Sequence, residues 1–219
     1  MAGGKKVVAL VIYQGVRPLS LVGIFNSLGS MEMKGYKMVI VGEQIEELRT
    51  DTPVKIIPEA TFDAVPNPYG MFVMDGGAEA LKAMENPALL SYIKNAGNLA
   101  SIVGSVGTGS LILAKAGLLE GRSAATHWAF AEYLEALGAR YVQKRWVEDG
   151  KFITAAGASA SIDMGFSMVN NLAGPSFSHE MQLGIEYDPE PPMGCIPWQD
   201  LNLDQLAQLF RRRTIEMEV

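Results

Sequence analysis

The chain reads as a single α/β domain, a doubly wound, mostly parallel sheet flanked by helices on both faces. Three observations predict it. Short apolar runs, such as residues 7–13 and Met71-Phe72-Val73-Met74, have the composition of strands buried on both sides. Segments with helical spacing alternate with them. The 219 residues, 48% of them hydrophobic, suffice for one large core and are too few for two comfortable domains.

Residues 7–13 give a β-branched first strand, after which Gly15, Pro18 and Ser20 make a loop before a helix over residues 21–30. Residues 36–41 form a second strand. Between residues 43 and 61, charged side chains, Pro53 and Pro58 surround Val54, Ile56 and Ile57, which suits small edge strands or a hairpin. Residues 71–74 make another buried strand ending at Asp75-Gly76-Gly77. A helix over residues 78–84 follows, and Pro87 opens the next, which carries Leu89, Leu90, Tyr92 and Ile93.

The central stretch is Leu99-Ala100-Ser101-Ile102-Val103-Gly104-Ser105-Val106-Gly107-Thr108-Gly109-Ser110-Leu111. A buried strand turns sharply into a helix with Leu111, Ile112 and Ala116 on one face, ending at Gly117. This is the layout of a nucleophile elbow, in which a strained apex residue stands over the strand ends beside a helix N-terminus. The apex here is Gly107, which tolerates positive φ but carries no nucleophile.

Further on, residues 128–137 have helical spacing. Residues 142–147 and 152–155 are strands joined by the turn Glu148-Asp149-Gly150-Lys151. Small residues 157–161 lead into a helix over residues 162–172, and a last helix covers residues 200–213. The expected organisation is an α/β domain over residues 1–198, with a C-terminal helix within residues 199–219 packed on it. In such sheets, sites lie beyond the strand C-terminal ends.

Composition narrows the function classes. A formal net charge of -6 gives no reason to expect nucleic acid or an anionic membrane as partner. The one basic cluster, Arg211-Arg212-Arg213, suits a solvated face or a helix C-terminus. One cysteine, Cys195, excludes an intrachain disulfide and a multi-cysteine metal site. No apolar run reaches the roughly eighteen residues of a membrane span. The N-terminus, Met1-Ala2-Gly3-Gly4-Lys5-Lys6, lacks a signal-peptide pattern. A soluble cytoplasmic protein is expected, with no metal and no cofactor.

The ordered motifs Asp75-Gly76-Gly77, Gly104-Ser105-Val106-Gly107-Thr108-Gly109-Ser110, Gly117-Leu118-Leu119, Thr126-His127-Trp128, Thr154-Ala155-Ala156-Gly157 and Ile162-Asp163 resemble the ThiJ/PfpI superfamily. Within it, the chain is most similar to bacterial isonitrile hydratases. The likeness extends over nearly the whole chain, including Gln182, Ile185-Glu186-Tyr187 and Pro191-Pro192. It implies a flavodoxin-like fold and a homodimer. It also implies a cysteine nucleophile at the position of Gly107, a carboxylate at Ser20 and, in many relatives, an acid at Asn26. Transcription regulators with the same core append a DNA-binding domain, for which no residues remain here. Several coordinated departures read as natural divergence; the alternative is a knock-out of the nucleophile.

Asp75 stands where the family usually has proline. It is either an acid/base at the pocket mouth or the N-cap of the helix beginning near Ala78. The backbone N–H groups of Gly76, Gly77 and Thr108 suit an anion or oxyanion pocket. Ser20, Asn26 and Thr108 are candidates to orient a polar ligand, and Ser159 and Ser161 to line the same cavity. His127 is a proton carrier or a structural member of its Thr-His-Trp motif. His179 reads as an exposed helix residue and Cys195 as a bystander. The function that follows is an enzyme acting without a covalent intermediate on a small, largely apolar molecule, by hydration, cyclisation or elimination. The alternative is a catalytically silent relative that binds a small molecule or protein partner.

Overall fold

The computed structural model describes residues 4–216. Met1-Ala2-Gly3, residues 217–219 and the side chain of Arg213 from the basic triplet lie outside the described residues. Strands β1 (Lys6–Val11) and β2 (Tyr36–Gly42) are joined by helix α1 (Pro18–Leu28) and a 3₁₀ turn (Gly29–Lys34). The hairpin β3 (Leu48–Arg49) and β4 (Lys55–Ile56), then the short β5 (Ala60–Thr61), complete the edge. Next come β6 (Gly70–Val73), α2 (Glu79–Ala83), α3 (Pro87–Leu99), β7 (Ile102–Val106) and α4 (Gly109–Lys115). The second half holds β8 (Ser123–Ala124), α5 (Ala131–Ala136), β9 (Arg140–Tyr141), β10 (Trp146–Asp149), β11 (Phe152–Ala155), α6 (Ala160–Ala173), α7 (Pro175–Gly184) and α8 (Leu203–Glu216).

The seven-stranded sheet runs β10-β11-β7-β6-β1-β2-β5, parallel throughout except where β10 pairs antiparallel with β11. The direction of strand progression reverses between β1 and β6. In open α/β sheets, the crevice beyond the strand ends at such a reversal is where ligands bind.

Strand pleat assigns the core. In β1, Val8 and Leu10 face one layer with α1 and α6, while Ala9 and Val11 face the other with α3 and α4. Burial on both sides explains why these strands read as continuous apolar runs rather than alternating ones. Where α1 crosses α6, side chains nearly vanish. A Cβ on Gly23 would lie 2.2 Å from Ser161 Oγ, and one on Gly165 1.8 Å from Ser27 Oγ.

Several boundaries differ from the sequence expectation. Helix α1 begins at Pro18, so Pro18 and Ser20 are helical. Arg17 is extended at the N-cap and Pro18 fits the first helical positions. The strand expected over residues 142–147 starts at Trp146, because β11 offers only four partners and Trp146 pairs with its last residue, Ala155. The helix expected over residues 128–137 opens as a 3₁₀ turn, Trp128–Phe130, before α5. The last helix starts at Leu203. It packs on the 3₁₀ turn through Phe210. Arg211 is more than a solvated charge: its guanidinium donates to the Ala129 carbonyl and pairs with Glu132 at 3.3 Å.

Gly23→Ala is expected to destabilise the protein by about 1–3 kcal/mol through overpacking, and Ser161→Ala to recover most of that by removing the obstructing hydroxyl. Urea unfolding of the two single variants and the double variant measures the coupling. Additive costs would show that the helices simply move apart.

Candidate active site

The group assembles where β1, β6 and β7 end. Gly107 leaves β7 at φ +52°, a conformation costly for any residue with a Cβ. Its N–H donates to Ala155 O at 2.9 Å, and its carbonyl accepts from Ser110 Oγ at 2.9 Å and Thr126 Oγ1 at 3.2 Å. Two residues on, Gly109 is pressed against β6, so that a Cβ there would lie 2.3 Å from Val73 O. The elbow is thereby fixed against the end of β6.

At that end stands Asp75, fully buried. Its Oδ1 accepts from Thr108 N at 3.1 Å, Thr108 Oγ1 at 2.8 Å and Gly77 N at 3.1 Å. Its Oδ2 accepts from Arg17 Nη1 at 3.4 Å. Thr108 Oγ1 in turn accepts from Gly76 N at 3.3 Å. The three backbone donors expected to make an open anion pocket are therefore all engaged, two of them by a carboxylate from the chain itself. Nor does Asp75 cap the helix after it: α2 has Ala78 at its N-cap, with no side-chain capping bond.

The carboxylate also occupies the space in front of the elbow apex. A Cβ on Gly107 would meet Asp75 Cγ at 2.4 Å, Oδ1 at 2.6 Å and Oδ2 at 2.7 Å. A side chain on residue 107 and the present Asp75 exclude each other.

Around this pair, Tyr13 donates its hydroxyl to Met74 O at 2.9 Å and packs its ring over Gly76. Burial, followed by the charge of Asp75, pushes the Tyr13 hydroxyl well above its ordinary pKa, so it stays a neutral donor. Arg17 N donates to Asp75 O at 2.7 Å, and the Arg17 side chain, 24% exposed, lies 3.1 Å from Asp51 through Nε. That second contact is close but not aligned as a hydrogen bond. His127 stacks on Phe210 at 4.9 Å and accepts from Ala129 N through Nδ1 at 3.3 Å. Burial pushes its pKa down, Asp75 pulls it partly back, and Arg17 depresses it further.

The structure thus brings Asp75, Gly76, Gly77, Gly107 and Thr108 together, with His127 within reach of their charge. Ser20 is buried one step away, its hydroxyl donating to Arg17 O at 2.7 Å. Asn26 and Ser159 are exposed to solvent, and Ser161 donates to Ala158 O at the start of α6. Cys195 and His179 are exposed. Among the described residues, no cluster of His, Cys, Asp or Glu could hold a metal ion.

Tyr13, Arg17 and Asp51 escape the sequence reading. Arg17 had a usable signal: a guanidinium at a helix N-terminus opposes the helix dipole and calls for a carboxylate partner. Asp51 had none.

Known proteins share this sequence and fold. The DJ-1/PfpI family model matches residues 5–171. An isonitrile hydratase of Pseudomonas putida is 33% identical over 185 residues, which cover 84% of this chain and 80% of the relative. The transcriptional regulator CdhR of Pseudomonas aeruginosa is 35% identical over 64% of this chain, a match spanning 40% of the regulator. Among solved structures, a ThiJ/PfpI family protein from Pseudomonas syringae superposes with a TM-score of 0.82 at 35% identity, covering 86% of this chain and 78% of the other. Drosophila melanogaster DJ-1beta superposes at 0.74 with 18% identity, over 84% of this chain and all of the other, and so shares the fold.

Two outcomes follow from the packing. Gly107→Cys is expected to cost about 2–4 kcal/mol from positive φ plus overpacking, and much less in an Asp75→Ala background. Equal costs in both backgrounds, measured by denaturant unfolding, would show that carboxylate and Cβ do not compete. For His127, the depressed folded pKa means that the unfolded chain binds its proton first as pH falls. Stability is complete above the ordinary histidine value of 6.5 and drops as pH passes below it toward the folded value. Wild type should therefore lose stability on acidification relative to His127→Leu, and parallel curves would contradict the assignment.

Proposed function

The chain belongs to the DJ-1/PfpI family, and from that premise we propose that it is an isonitrile-hydratase-like enzyme working without a covalent intermediate, with Asp75 as proton acceptor. The observation that carries this reading is the mutual exclusion at the elbow: the Asp75 carboxylate fills the space a side chain on Gly107 would take. The resemblance puts the family's thiolate there. In this chain an anion still stands beside the start of α4, supplied by β6 instead of β7. A carboxylate is a poor nucleophile toward such carbon but a competent base for water.

For an isonitrile the step balances. Water oxygen bonds to the terminal carbon as Asp75 takes one proton and returns it to that carbon. The remaining hydroxyl proton passes to nitrogen as the C–O bond becomes a carbonyl, and the product is a formamide. Arg17 is the partly exposed member of the group and makes the longest of the four contacts to the carboxylate. Its swing toward Asp51 would free Oδ2 for water. Thr108 and Gly77 hold Oδ1 meanwhile, and His127, kept neutral by burial, adds no competing positive charge.

A second reading has its own support. Four donors saturate Asp75 and none of it is exposed, as suits a fixed structural anion in a catalytically silent relative that binds a small molecule or protein partner.

The two part on one experiment: conversion of a small alkyl isonitrile to its formamide by wild type and Asp75→Asn, with melting curves to confirm folding. The enzyme reading expects turnover by wild type and a loss of about 10²-fold or more in the variant. Turnover unchanged by Asp75→Asn would overturn the assignment of the base, and silence from wild type would favour the binding reading.

A further inference from the structure

A cleft of about 390 Å³ opens at the ends of β1 and β2, lined in part by Tyr13, whose ring also packs on Gly76. Its inner surface is apolar: Ile12, Leu48, Phe62 and Leu89 line it and are all buried. Its outer surface is acidic. Glu43, Glu46 and Glu79 contribute three carboxylates against one ammonium, that of Lys82, which pairs with Glu79. Glu43 is held in place by Asn86 Nδ2 at 2.7 Å, and Asn86 is itself fixed as the N-cap of α3. The Glu46 carboxylate has no ion-pair or hydrogen-bond partner among the described residues.

We propose that this cleft binds a small organic cation, an amine carried on an apolar body. The volume falls in the range of small-molecule sites, whose usual build is an apolar interior with a few polar groups at the rim. Charge sets the sign of the ligand: once Lys82 is set against Glu79, Glu43 and Glu46 leave a net negative rim on a chain that is itself at -6. That disfavours an anion and raises the local concentration of cations. The apolar interior sets the kind of cation. A bare metal ion would find no ligands there, and the described carboxylates do not converge into a metal-binding group. An alkyl or aryl ammonium satisfies both halves, its charge at Glu43 and Glu46 and its body against Leu48, Phe62 and Leu89.

This assignment is independent of chemistry at the elbow. Isothermal titration of the full chain with 4-phenylbutylamine, 4-phenylbutanol and 4-phenylbutyrate tests it, the three probes sharing a body and differing in charge. The amine should bind at least tenfold more tightly than the alcohol, with the carboxylate weakest, and added salt should erode that advantage. Glu43→Gln with Glu46→Gln should reduce amine affinity at least tenfold and leave the alcohol unchanged. Ala83→Trp, which plugs the cleft wall from α2, should abolish binding of both. Equal affinity for the three probes, or amine binding that survives Ala83→Trp, would overturn the proposal, as would amine affinity lost in Asp75→Asn but kept in the glutamate double variant.

Discussion

One volume at the end of the sheet admits one occupant. Gly109 lets the elbow press against the Val73 carbonyl, so residues 75 and 107 are delivered to the same few cubic ångströms from adjacent strands. Once Asp75 takes that space, residue 107 cannot carry a Cβ, and its positive φ comes at no cost only because it is glycine. The remaining contacts serve the buried charge. A carboxylate without exposure needs donors on both oxygens, and Thr108, Gly77 and Arg17 provide them. Tyr13 and the N–H of Gly76 then order Thr108 and the loop beneath it. Gly107 and Asp75 are thus one feature written at two sequence positions.

This dependence explains what the sequence could disclose. The alternation of apolar strands and helices was legible because strands buried on both faces leave unbroken runs such as residues 7–11 and 71–74. The elbow was legible because a glycine-rich turn between a strand and a helix has few other uses. What stayed hidden were relations between distant positions. Whether Asp75 capped its own helix or reached across to α4 depends on the spacing of β6 and β7, which no local pattern encodes. Asp51 lies in a polar loop with no periodicity and is brought to Arg17 only by the β3–β4 hairpin. Asn26 was expected to orient a ligand because relatives carry an acid there, and Ser159 to line the cavity by its position before α6; both side chains are exposed.

The proposed chemistry turns on the difference between a thiolate and a carboxylate at one location. A thiolate nucleophile must be deprotonated and must form a bond that is later broken. The Asp75 carboxylate is anchored through Oδ1 by two backbone N–H groups and a hydroxyl, which fixes its plane and leaves Oδ2 to a single long contact with a partly exposed arginine. One oxygen carries three donors and the other a single long contact. This asymmetry distinguishes the arrangement from a uniformly satisfied buried ion pair, whose breaking would strand a charge in a low-dielectric interior. Displacing Arg17 does not strand Asp75, because three donors remain on the carboxylate, and Arg17 itself retains Asp51.

The reversal of strand order between β1 and β6 gives these features a common origin. Helices after the two strands depart to opposite faces of the sheet, α1 packing with α6 and α2 with α4, and a crevice opens between their first turns. Tyr13 stands at that crevice. Its ring packs on Gly76 and also lines the cleft, and its hydroxyl donates to Met74 O. On the inner side, donors from three strand ends converge and a carboxylate can be held dry. On the outer side, the loop after β2 brings Glu43 and Glu46 to the exposed rim, Glu43 held there by Asn86. A group that contacts Tyr13 from the cleft therefore touches the same ring that packs on Gly76 in the Asp75 loop.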